Sequence, residues 1–145
     1  VITAAITIWG ILRDPASGIP SDHGRDLLKA ISSVYRTVLL ADSEDDVPWL
    51  RLERITEYEH VSIPRSGHPI RQERIYQINL LRASGPVALV IDPNPDICVE
   101  LFRRGQPTLL YSHPRFAHLK DRPGLKSWAE LERIIDMTRQ RESQT

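Results

Sequence analysis

The chain has 145 residues, 41% of them hydrophobic and 26% charged, with a formal net charge of zero. This is the composition of one folded domain with a proper core, and it excludes a disordered chain. The charge balance removes any global electrostatic case for nucleic acid or a membrane surface, and no apolar stretch approaches a membrane span.

The first element is an apolar run, Ala4–Leu12, which reads as a strand. Turn residues from Asp14 to Pro20 follow. A helix then begins with Ser21 or Asp22 as its cap, and Leu27, Leu28, Ile31 and Val34 form its apolar stripe. A second strand, Thr37–Ala41, ends at Asp42-Ser43, and a second helix covers about Val47–Ile55. Pro48 suits its first turn, and Asp45 and Asp46 complement the positive end of its dipole. A short third strand, His60–Ile63, precedes a loop over Pro64–Pro69. The third helix, Ile70–Ala83, is expected to face the sheet with Ile75, Ile78, Leu81 and Leu80, and it ends at Ser84-Gly85-Pro86. Val87–Ile91 is an unbroken apolar run of the kind buried in parallel sheets. A fourth helix at Pro95–Arg104, a turn at Gly105–Pro107 and a fifth strand at Thr108–Tyr111 complete the pattern. Residues 112–124 read as irregular, and Lys126–Thr138 as a last helix with Trp128, Leu131, Ile134 and Ile135 turned inward. Strand-helix alternation at this spacing predicts a single three-layer, Rossmann-like α/β domain over residues 1–138, with 139–145 as a polar tail.

Chemistry concentrates at the end of the fourth strand. Asp92 and Asp96 stand at D-x-x-x-D spacing just beyond it, where open α/β sheets place their ligands. The first strand carries no acid before Asp14. In its Asp-Pro context Asp14 reads first as a turn former. The alternative has it fold back to join Asp92 and Asp96 in a metal site, with Asp42, Asp45 and Asp46 within reach from the second strand. These three read more simply as a solvated strand end and two helix-start residues. Among five histidines only His113 and His118 approach metal-type spacing, and no cysteine accompanies them. Ser66-Gly67-His68 lacks the glycine elbow of a catalytic serine, and the scattered glycines form no phosphate-cradling fingerprint.

Arg51, Arg54, Arg65, Arg71, Arg74 and Arg82 are interleaved with Glu53, Glu57, Glu59 and Glu73. They read as a salt-bridged, solvated surface, with a phosphate- or nucleic-acid-facing patch as the minority alternative. Trp49 and Trp128 read as core anchors. Cys98, the only cysteine, cannot form an internal disulfide and reads as a small packed hydrophobe in a reducing compartment. The opening run lacks the basic leader and cleavage site of a signal peptide, so the expected location is cytoplasmic.

From about Ile6 to Leu110 the order and content of these units resemble the haloacid dehalogenase-like superfamily, mainly phosphohydrolases. Family members open with D-x-D-G-x-[LV] on the first strand; here the stretch is Thr7-Ile8-Trp9-Gly10-Ile11-Leu12. Gly10 and Leu12 match, while Thr7 stands at the nucleophile position and Trp9 at the acid-base position. The second motif, a hydroxyl after strand two, is met loosely by Ser43. The third, a lysine before strand four, has only Arg71, Arg74 or Arg82 as stand-ins, and Arg71 is the one taken for phosphate binding with Ser43. The fourth, D-x-x-x-D, is intact as Asp92 and Asp96. The resemblance implies a five-stranded parallel sheet in the order 3-2-1-4-5, without a cap domain because Asp42–Val61 is too short to hold one.

The resemblance also implies a lost reaction. In the family a carboxylate nucleophile takes the phosphoryl group, a second carboxylate moves the proton, and Mg²⁺ bridges phosphate and acids. Thr7 and Trp9 supply neither carboxylate. The expectation is a non-catalytic binding or structural protein that requires no cofactor, with a protein partner or a second copy of itself as partner. Two alternatives stand beside it: a Mg²⁺-dependent phosphohydrolase working through displaced acids (Asp14, Asp92 and Asp96), and a nucleic-acid-associated module. For a vestigial site, Asp96 or Asn94 would cap the fourth helix and Asp92→Asn would be tolerated.

Overall fold

The structure, a computed structural model, describes residues 2–113 and 139–141. In chain order it runs β1 (Thr3–Thr7), α1 (Asp22–Ser32), β2 (Arg36–Leu40), α2 (Asp46–Leu52), β3 (His60–Ser62), α3 (Ile70–Ser84), β4 (Val87–Asp92), α4 (Pro95–Arg103) and β5 (Thr108–Leu110). The five strands form one sheet in the order β3-β2-β1-β4-β5, and every neighbouring pair is parallel. This is the predicted order.

Strand pleating sorts the core into two layers. Ile6, Leu39 and Ile91 pack with Leu28 of α1 and with Trp49 and Leu50 of α2 on one face. Ala5, Leu40 and Val90 pack with Ile78 of α3 and with Ile97 and Leu101 of α4 on the other. Residues β1 turns toward α3 and α4 therefore include Thr7, two places beyond Ala5. No helix among the described residues is long and apolar enough to cross a membrane.

Several expectations need correction. The run to Leu12 is not all strand. β1 stops at Thr7, and the Ile8 carbonyl then accepts the N–H groups of Leu12 at 2.9 Å and Arg13 at 3.0 Å in a tight turn. Gly10, at φ 90°, supplies the left-handed residue of that turn. Ile8, Ile11 and Leu12 are nevertheless fully buried, which is why the stretch looks like a strand in sequence. Val34 leaves the stripe of α1: the helix ends at Ser32 and Val34 is 73% exposed. On α3, Leu80 faces solvent, while Glu73, Arg74 and Gln77 join Ile78 on the buried side. The predicted helix at Lys126–Thr138 and His118 lie outside the described residues, and residues 139–141 of the expected tail are helical.

Candidate functional site

The candidate site is the cleft at the carboxyl ends of β1, β2 and β4. Sheet register decides what meets there. Ile6 of β1 pairs with Ile91 of β4 and Thr7 with Leu40 of β2, so Thr7 falls beside Asp92, and Asp42, two places beyond Leu40, reaches the same strand tips. Thr7 is 2% exposed and its hydroxyl donates to Asp92 Oδ2 at 2.6 Å. The other oxygen of Asp92 accepts the Asn94 N–H at 2.8 Å, a local turn that brings the chain from β4 into α4. Asn94 then caps α4 by accepting from the Asp96 N–H at 2.9 Å, with Pro95 in the first turn where no donor is needed. Asn94, and not Asp96, is thus the cap.

Arg74 rises from α3 into this acid pair. Its side chain is 2% exposed, its Nε lies 3.2 Å from Asp92 Oδ2, and its Nη2 bonds Asp42 Oδ1. Nη1 donates to Gln77 Oε1 at 2.7 Å. Gln77 in turn donates to the carbonyls of Ala41 at 3.0 Å and Ser62 at 2.8 Å, fixing the ends of β2 and β3. A buried charge is tolerated only when paired and hydrogen-bonded; Arg74 is paired with both acids and hydrogen-bonded through Nη1 and Nη2, while its Nε, against Asp92, makes an ion pair without a hydrogen bond. Burial nevertheless pushes the Asp42 carboxyl above its ordinary range: desolvation outweighs the pull of Arg74, and the charges of Asp46 and Asp92 add to it. Thr7, Trp9, Asp42, Arg74, Asp92 and Asn94 line a small cleft of about 110 Å³.

A second buried acid lies behind the first. Asp46, fully buried, accepts the N–H groups of Asp42 at 2.8 Å and Ser43 at 3.3 Å, and the Trp9 indole N–H at 2.8 Å. The Arg13 guanidinium is 3.4 Å from it, stacked 4.2 Å from the Trp9 ring centre and 4.9 Å from that of Trp49. Asp46 is therefore the helix-start residue expected of it, opening α2, and at the same time an internal anchor.

The remaining sequence candidates lie elsewhere. Asp14 closes a turn by accepting from Ala16 N at 3.1 Å and Ser17 Oγ at 2.8 Å, which hold its carboxyl below the ordinary range. It lines a separate groove with Tyr111 and His113. Ser43 Oγ accepts from Asp45 N at 3.2 Å at the start of α2. Arg71 is about half exposed and pairs with Glu100 at 3.4 Å, outside the cleft. Asp96 sits in the first turn of α4 and does not line the cleft. Of the three acids considered for a metal, only Asp92 is in it. Arg74 and Glu73 leave the solvated surface proposed for them, since both are 1% exposed. Helical spacing alone did not single it out: Arg74 is four residues before Ile78, and Arg71 stands the same distance before Ile75.

Mg²⁺ is tested by this donor set and does not fit it. An octahedral hard ion seeks several free oxygens. Here both nearby carboxylates are held by the guanidinium. Among the described residues no group of three or more His, Cys, Asp or Glu side chains is arranged to hold a metal.

No family model and no curated protein matches the chain. Among solved structures, a chain of the Pnkp1/Rnl/Hen1 RNA repair complex is similar, with a TM-score of 0.56 at 18% identity. The likeness covers 77% of this chain and 42% of that one, so this chain spans less than half the length of its neighbour, and what the likeness shows is the α/β fold.

Proposed function

We propose that the chain is a binding or structural module on a degenerate haloacid dehalogenase-like fold, without phosphotransfer chemistry of its own. The observation that carries the reading is Thr7. At the family's nucleophile position it offers a hydroxyl donated to Asp92 at 2.6 Å. A carboxylate is too weak a base to ionise an alcohol, so this contact makes a hydrogen bond rather than an activated nucleophile. Two places on, Trp9 gives its indole N–H to Asp46, and an indole is neither a general acid nor a general base at ordinary pH. Support for the phosphohydrolase alternative is weaker, because Asp14 is committed to its own turn. A partner would be met at the strand-tip cleft or on an exposed apolar face such as Phe102, Leu109 and Leu110 beside the β5 edge.

The test is an assay of the purified protein on para-nitrophenyl phosphate and nucleotides with Mg²⁺. The expected rate is that of buffer alone. A phosphatase activity that disappears in Asp92→Asn would overturn the proposal.

A further inference from the structure

We infer that the Arg74 guanidinium is the resident cation of the strand-tip cleft, held between Asp42 and Asp92 where a divalent ion would otherwise sit, so that replacing it creates a divalent-cation site. The inference rests on the degenerate reading above, but it concerns charge rather than catalysis. Two carboxylates, one following each strand that flanks β1, converge on the cleft, Asp92 with its side chain 1% exposed and Asp42 with its side chain 33% exposed. Left alone, two such carboxylates would repel and one would take up a proton. The chain supplies the missing positive charge from α3. The contacts are those of a cation rather than of a surface arginine: both acids are within ion-pair reach, and the side chain is 2% exposed.

Removing the guanidinium leaves a hard-oxygen donor set. It comprises the carboxylates of Asp42 and Asp92, the Thr7 hydroxyl, and the Ala41 carbonyl that Arg74 Nη1 approaches at 3.4 Å. Oxygen donors of this kind select Mg²⁺ or Mn²⁺, with water completing the shell.

Thermal unfolding of wild type, Arg74→Gln and the double variant Arg74→Gln/Asp92→Asn, each in EDTA and in millimolar Mn²⁺ or Mg²⁺, tests this. Wild type should be unmoved by the metals. Arg74→Gln should melt roughly 10 °C or more lower in EDTA, since breaking a buried pair strands its acids. Its melting temperature should then rise saturably with Mn²⁺. The double variant should lose the metal response. If Arg74→Gln does not fold in EDTA, refolding it in Mn²⁺ decides: recovery of a cooperative transition supports the inference. Rescue by Asp92→Asn alone, or by neither, overturns it, as does an Arg74→Gln protein as stable as wild type without metal. Saturable stabilisation of wild type by Mn²⁺ overturns it too, because ion and guanidinium would then coexist. A phosphatase activity in the wild type would sink the degenerate reading and leave these melting temperatures as they are.

Discussion

Asp92 is the residue on which the cleft turns. It accepts from Thr7 and Asn94, pairs with Arg74, and through its backbone carbonyl accepts the Cys98 thiol at 3.4 Å and the Tyr111 N–H at 3.0 Å. The expectation that Asp92→Asn is tolerated assumed two acids crowding each other; with Arg74 opposite, the substitution removes half of that cation's compensation and should destabilise the fold. The same acid shapes its neighbour's chemistry. Burial, and after it the negative charge of Asp92, push the Cys98 thiol up to about 12. At pH 8 this leaves on the order of a thousandfold less thiolate than an ordinary cysteine presents. The greater nucleophilicity of a more basic thiolate offsets part of this loss, so alkylation of the native protein by iodoacetamide should be slower than that of the denatured chain by at least about tenfold. A rate near that of free cysteine would mean that α4 opens readily.

At the scale of elements, α1 and the turn after β1 meet backbone to backbone at Gly24. A Cβ placed on Gly24 would stand 1.7 Å from the Ile11 carbonyl oxygen, a backbone atom that cannot swing aside. Gly24→Ala should lower stability by about 1–3 kcal/mol or more, measured by urea unfolding, although alanine favours a helix elsewhere. A neutral or stabilising result would show that α1 can lift from the turn without loss. Sequence reading located α1 through Ser21 and its leucines, because a cap and a stripe are local signals. It located β4 through five consecutive apolar residues. It did not see that α3 presents Glu73, Arg74 and Gln77 to the sheet, because burial of polar residues depends on acceptors brought by other strands. Asp42 and Ser62 meet α3 only after the sheet has formed. Arg71 looked as good as Arg74 for the same reason: a three-residue rotation around the helix separates them, and only the sheet tells which side is inside.

For the whole molecule, acids of opposite behaviour shape the response to pH. Desolvation opposes the charge on Glu73, but its bonds from Arg65 prevail and hold it below the ordinary range; Ser17 and Ala16 do the same for Asp14. Such groups contribute stability that is complete above about pH 4.5 and lost as pH falls through their folded values. Asp42 has the reverse sign. Its charged form is penalised in the folded state, and the penalty is lifted as pH falls through the raised value toward 3.8. The stability gap between wild type and Asp42→Asn, followed by urea unfolding, should accordingly widen in favour of wild type between pH 7 and pH 4. A gap that narrows instead would mean that Arg74 outweighs burial at Asp42. The topology that brings these groups together was the most legible property of the chain, since it follows from the alternation of elements and needs no side-chain detail. It also has a kinetic consequence. Thr7 and Asp92 are 85 residues apart in sequence, and they touch only because β4 closes on the free side of β1. β1 and β2 can pair across a much shorter loop, whereas the cleft has to wait for that distant closure, whose chain entropy must be met first. On a ribosome Asp92 emerges after β1, β2 and β3 have been made, so the Arg74–Asp92 ion pair has to wait for β4, and a chain interrupted before β4 leaves Arg74 with Asp42 but without its second acid.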